Sequence, residues 1–122
     1  MKALDNMSNR ELYEFAKNLR NGDRKLYFDL LKYGHDTGED VNYALAQNDT
    51  TPKEILYILA DTKKAYTLFR LTVNPNTPPE ALEKIANRTD INVYDYGDVI
   101  RNIATHPNCP ESLVKKFSPY LI

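Results

Sequence analysis

The stretch FRLTVNPNTPPEAL, Phe69 to Leu82, decides how the chain is read, because altered copies of it stand on both sides. YALAQNDTTPKEIL begins 26 residues earlier, at Tyr43, and RNIATHPNCPESLV begins 32 residues later, at Arg101. Each copy runs from an apolar helical stretch through a polar corner and a proline into a second apolar stretch. Slots keep their chemical type: Leu45, Leu71 and Ile103 before the corner, then Leu56, Leu82 and Val114, and Leu59, Ile85 and Phe117 after it. A helical pair of this length cannot bury its apolar face alone, so the pattern predicts pairs stacked on one another.

The corners state how the second helix of each pair begins. Thr51-Pro52-Lys53-Glu54 and Thr77-Pro78-Pro79-Glu80 follow T-x-x-E with proline directly after threonine. They predict a threonine oxygen accepting from the N3 amide, a glutamate reaching back, and a proline where no donor is lost. In the third copy Cys109 takes the threonine slot and His106 the slot of Asn48 and Asn74. A thiol three residues from an imidazole invites reading as half a metal clamp or a nucleophile with its base. Alignment argues for architecture instead: the motif repeats without either residue, and the only other histidine, His35, leaves too few ligands for a zinc site.

Outside the copies the helical signal continues. Ser8-Asn9-Arg10-Glu11 is a capping box, followed by Leu12, Phe15, Ala16 and Leu19 on one face. Leu26, Leu30 and Leu31 mark a second helix that buries Tyr27 or Phe28 and is expected to end at Gly34. Further helices are predicted near 41–47, 53–60, 63–73, 79–87, 98–105 and 111–117. INVYDYG, 91–97, alternates like a strand but lies where six extra residues lengthen the second spacing, so it is read as an inserted loop. The expectation is therefore an all-α chain and a single domain, 1–122. It is a short alpha-solenoid with two capping helices in 8–33 and about three repeats in 41–122, and FSPYLI folds Tyr120, Leu121 or Ile122 over the last one.

Two stretches, IRNIATHPNCPESL at 100–113 and LTVNPNTPPEALEKIA at 71–86, resemble the leucine-rich repeat variant family, a helical family akin in spirit to armadillo and HEAT repeats. The likeness covers roughly 41–118 and implies alternating α and 3-10 helices in a superhelix. It implies no shared enzymatic activity. Some members carry an iron–sulfur cluster in a cysteine-rich N-terminal portion; this N-terminus has no cysteine, so no cofactor is expected. The first copy lacks the family's arginine and first proline, making it a degenerate unit.

Bulk properties narrow the function classes. Sixteen basic and seventeen acidic residues give a net charge of −1, which supplies no global attraction to nucleic acid or an anionic bilayer. The single cysteine excludes an internal disulfide, and the first fifteen residues lack a signal peptide's apolar stretch, so a cytoplasmic, membrane-free protein is expected. Serine elbows, phosphate-cradling glycine loops and credible histidine–carboxylate pairs are not found, and catalytic and metal sites are expected to be none.

Three candidate surfaces stand out. The insertion RTDINVYDYGD, Arg88 to Asp98, offers Tyr94 and Tyr96 beside Asp90, Asp95 and Asp98, a composition suited to a protein interface; packing of one tyrosine between repeats is the competing reading. HDTGED, 35–40, places Asp36, Glu39 and Asp40 beside His35 but lacks the register of a calcium loop, and Glu39 and Asp40 are read as capping the next helix. Arg10, Lys17, Arg20, Arg24 and Lys25 cluster near Tyr13 and Tyr27, which would suit phosphates and bases, although acids interleave with them. The leading expectation is a non-enzymatic protein-binding adaptor or inhibitor acting through the repeat face and the insertion. A nucleic-acid binder using the N-terminal basic helices is the alternative. Richness in asparagine, lysine and tyrosine suggests an AT-rich or bacteriophage genome, and hence a modulator of a host protein in the host cytoplasm.

Overall fold

The computed structural model describes residues 3–37, 39–93 and 96–121, with side chains at all of these except 35–37, 39, 40 and 97. Eight α-helices follow one another: α1 (Asn9–Asn18), α2 (Arg24–Thr37), α3 (Glu39–Gln47), α4 (Lys53–Leu59), α5 (Ala65–Val73), α6 (Pro79–Ala86), α7 (Gly97–Thr105) and α8 (Glu111–Phe117). Short 3-10 turns lie at Leu4–Asn6 and Ser118–Leu121, and no strand occurs among the described residues.

Helix-on-helix packing follows the repeat. In one direction α1 packs on α3, α3 on α5 and α5 on α7; beside them α2 packs on α4 and α4 on α6. Helices of seven to nine residues, such as α4 and α5, are marginal alone in water. What holds them is burial of the shared slots. Leu45, Leu71 and Ile103 are fully enclosed, as are Leu56 with Leu82 and Ile85 with Phe117, each side chain contributing roughly 1.5–3 kcal/mol. Val114 departs from the expected pattern. It is 37% exposed where Leu56 and Leu82 are enclosed, while Leu113 beside it is buried like its counterparts Ile55 and Ala81. Ser118–Leu121 does fold back on α7 and α8, with Tyr120 edge-on to Phe117 at 6.4 Å, yet Tyr120 and Leu121 stay exposed. Ile122 lies outside the described residues.

Ser8 builds the expected capping box with Glu11, each side chain meeting the other's backbone amide at 3.1 Å. Asn21, at φ 51°, supplies the left-handed residue between α1 and α2, a conformation asparagine tolerates better than most. Tyr27, rather than Phe28, is the buried aromatic of α2. The expected stop at Gly34 is overturned, since α2 continues to Thr37. Gly34 serves a close approach of helices: a Cβ there would lie 1.9 Å from Oδ1 of Asn42 on α3.

Candidate functional site

The three corners are polar, buried and linked to one another. Asn48 and Asn74 are almost fully enclosed, and His106 nearly so. Asn48 Nδ2 donates to the carbonyls of Ala16 (2.9 Å) and Leu19 (2.6 Å) in the α1 turn. Asn74 Nδ2 repeats the move one layer on, donating to Ala46 (2.8 Å) and Asn48 (3.0 Å). His106 Nε2 then meets the carbonyl of Asn74 at 2.7 Å. Each side chain also accepts from the amide two residues ahead, at Thr50 (2.8 Å), Asn76 (2.9 Å) and Asn108 (3.0 Å). A second line of side chains doubles the ladder: Asn76 donates to Thr51 O at 2.6 Å, and Asn108 to Pro75 O and Thr77 O at 3.2 and 3.0 Å. Buried carbonyls at helix ends would otherwise be orphaned.

The threonines do something other than the expected cap. Neither hydroxyl accepts from an N3 amide; Thr51 Oγ1 donates back to Leu45 O and Thr77 Oγ1 to Leu71 O, both at 2.7 Å and both from fully buried positions. Neither α4 nor α6 carries a side-chain N-cap bond, and their caps are Pro52 and Pro78. Glu54 pairs with Arg24 at 3.4 Å instead of reaching back. The hydroxyl therefore ties the second helix of a pair to the first, satisfying a carbonyl in the last turn of the incoming helix. Proline after the threonine leaves the chain extended, which turns the side chain away from the N-terminus it was expected to cap.

Cys109 occupies the equivalent position, its amide donating to His106 O (3.0 Å) as Thr51 does to Asn48 O (3.2 Å) and Thr77 to Asn74 O (3.1 Å). Its thiol does not make the backward bond; Sγ lies 3.5 Å from Pro110 O. Burial, with the Glu83 carboxylate as a lesser influence, pushes the thiol pKa up and disfavours the nucleophilic thiolate. His106 is no base for it either. Nδ1 accepts from Asn108 N–H, so the proton sits on Nε2 and is donated to Asn74 O. Among the described residues no group of three His, Cys, Asp or Glu is placed to hold a metal ion.

Of the insertion residues, Tyr94 and Asp95 lie outside the described residues. Tyr96 is half-buried against the core, and its carbonyl receives the amides of Val99 and Ile100 at the start of α7, which supports the packing reading for this tyrosine. Asp90 is held by Arg88 through two contacts, 2.9 and 2.7 Å, and the guanidinium draws its pKa down to about 2. The same Arg88 side chain, only 7% exposed, also donates to the carbonyls of Ala60 (3.0 Å) and Thr62 after α4. Sequence reading missed Arg88; its only signal was an arginine opening the insertion. Val93 enters the core and Ile91 packs against it, so the insertion is anchored at several points. In HDTGED, Glu39 and Asp40 open α3, and all six side-chain positions lie outside the described ones.

The N-terminal cations are mostly neutralised by neighbours. Arg10 meets Glu14 at 3.1 Å, Arg20 meets Asp49 at 3.5 Å and Asn48 Oδ1 at 3.0 Å, Arg24 meets Glu54, and Lys25 meets Asp29 at 2.8 Å. Lys17 and Arg10 both lie over the Tyr13 ring, at 5.8 and 6.0 Å.

Large apolar side chains remain on the outside of the middle repeats, namely Tyr57, Ile58, Tyr66 and Val73. Ile58 borders two shallow depressions, one of about 820 Å³ with Leu31, Asn42 and Leu59, the other of about 500 Å³ with Tyr57 and Pro78. Within the described residues no helix is long and apolar enough to cross a membrane. No family model, no curated protein and no solved structure matches the chain.

Proposed function

We propose that the chain is a short alpha-solenoid of the leucine-rich repeat variant or HEAT-like kind, working as a non-enzymatic module that binds another protein. The observation that carries this reading is the division of labour in each repeat. Corner side chains and inward slots hold the layers, and the outward positions of the middle repeats carry aromatic and aliphatic groups, Tyr57, Ile58, Tyr66 and Val73, that stay exposed. A rigid helical face bearing such groups suits recognition by surface complementarity. Catalysis finds less support, with Cys109 and His106 both engaged as corner residues.

Partner contact is proposed at the outward face of the middle repeats together with the insertion, through Tyr94 and Tyr96. Alanine at both tyrosines is expected to weaken partner binding by about 2 kcal/mol or more if they are hot spots. Unchanged affinity would remove the insertion from the interface and leave the repeat face. The nucleic-acid reading makes a different demand: retention on a polyanion column that falls steeply with salt. Pairing of Arg10, Arg20, Arg24 and Lys25 with acids argues for weak retention.

A further inference from the structure

Five of the six arginines face a carboxylate within 2.7–3.6 Å; Arg70 on α5 has none among the described residues. Its position is nevertheless well defined. Nε donates to Tyr43 Oη at 2.9 Å, and the guanidinium lies 5.5 Å from the Tyr43 ring centroid and 5.7 Å from that of Phe69. Tyr66 braces Tyr43 edge-on, centroids 5.5 Å apart, and is itself exposed. The side chain is half-buried, so the charge is partly withdrawn from water without an anion to answer it.

We propose that this aromatic-framed guanidinium is the receptor for an aspartate or glutamate side chain in an acidic segment of a partner protein. The Nη groups keep their planar fork of donors once Nε is committed to Tyr43, and that fork matches the two oxygens of a carboxylate. Tyr43 accepts from Arg70, so its own hydroxyl proton is left to donate to the same anion. Fixing the fork in advance lowers the entropy lost on binding, and the rings around it supply the apolar surround that arginine hot spots require. A phosphodiester backbone would call for a track of cations side by side, whereas the groups framing Arg70 are the rings of Tyr43 and Phe69. The inference rests on the protein-binding reading and gives that partner its chemistry.

The test is a selection of displayed random dodecapeptides on the full chain, with counter-selection on Arg70→Gln. Enriched peptides are expected to carry Asp or Glu beside an aromatic or aliphatic residue. A synthetic copy should lose at least tenfold in affinity for Arg70→Gln and for Arg70→Lys, which keeps the charge but not the fork. Its own Asp→Asn or Glu→Gln twin, which leaves the protein untouched, should lose as much. Failure to enrich any peptide, enrichment of sequences without acids, or equal binding to Arg70→Gln overturns the proposal. Arg70-dependent binding of a 20-mer oligothymidylate in place of peptide overturns it in favour of nucleic acid. The Tyr94 and Tyr96 double alanine variant separates the readings: peptide binding that survives it but not Arg70→Gln leaves the proposal standing while the insertion drops out.

Discussion

Replacing Asn74 tests whether the corner ladder, and not apolar packing alone, fixes one repeat on the next. In Asn74→Ala three hydrogen bonds vanish, two donated to Ala46 O and Asn48 O and one accepted from Asn76 N. Asn48 O keeps the amide of Thr51, so the groups left in need are chiefly Ala46 O and Asn76 N. At about 1–3 kcal/mol for each buried polar group without a partner, and with some water reaching the corner, the cost is about 3 kcal/mol. A chain of 122 residues unfolds with an entropy of about 0.26 kcal/mol per kelvin, so the thermal midpoint should fall by about 12 °C. Asn74→Asp makes the sharper comparison. It retains an acceptor for Asn76 but turns a carboxylate toward two carbonyls, so it should cost at least as much as alanine. Asn74→His, imitating the third corner, should cost less than either. Circular dichroism melts of the four proteins decide the matter. A shift under about 3 °C for alanine, or an aspartate variant as stable as the parent, would show that the side chain merely shapes its own turn and that the layers need no ladder.

Three further outcomes are expected. Cys109→Thr should restore the backward bond to the carbonyl of Ile103 that Thr51 and Thr77 make to Leu45 and Leu71, raising stability by about 0.5–1.5 kcal/mol in urea denaturation; alkylation of Cys109 itself should be slower than that of an exposed thiol at neutral pH, since burial raises its pKa. Gly34→Ala should destabilise the parent and do so much less in an Asn42→Ala background, because the severe clash, at 1.9 Å, is with the Asn42 side chain, while the Asn42 backbone nitrogen at 3.2 Å remains a tight contact; identical effects in thermal melts of both backgrounds would place the close approach elsewhere. Asp90, held by Arg88 at a pKa of about 2, has a folded value below its unfolded one, so its contribution is present above about pH 4 and disappears as pH falls through 2; Asp90→Asn should flatten the loss of stability in that window, and an unaltered acid profile would count against the pair.

Helix boundaries were legible because punctuation and periodicity are local. Pro52, Pro78 and Pro110 end extended corners, and the apolar slots around them repeat with helical spacing, so 53–60, 79–87 and 111–117 lie close to α4, α6 and α8. What local rules could not reach were side chains whose partners are far along the chain. T-x-x-E predicts a cap, but a hydrogen bond from Thr51 to the carbonyl of Leu45 crosses the corner and outcompetes it. Glycine usually ends a helix, yet at Gly34 the requirement comes from Asn42 on the following helix. Arg88 reaches carbonyls 26 and 28 residues earlier, a contact that exists only once α4 and α6 are packed. The first repeat, although degenerate in sequence, kept the one residue the ladder needs, Asn48.

The same comparison of copies bears on where the proposed binding site would lie. Inward slots exchange Leu, Ile and Phe, since burial is non-directional, whereas the ladder slot carries Asn or His, side chains that can donate to the preceding layer and accept locally at once. One position next to the inward slots varies in kind from copy to copy. Immediately before Leu45, Leu71 and Ile103 the three copies carry Ala44, Arg70 and Asn102: one buried, one framed by rings, one reaching Thr72 Oγ1 at 3.4 Å. In the proposed solenoid such a position can be altered in a single layer while neighbouring layers preserve the register around it. Arg88 is also unique to its repeat, but its guanidinium is turned inward onto backbone carbonyls and Asp90. Of the two arginines that distinguish the middle copy, only Arg70 has no carboxylate or carbonyl partner among the described residues, and under the proposed binding role a substitution confined to it should alter recognition while the ladder holds the fold.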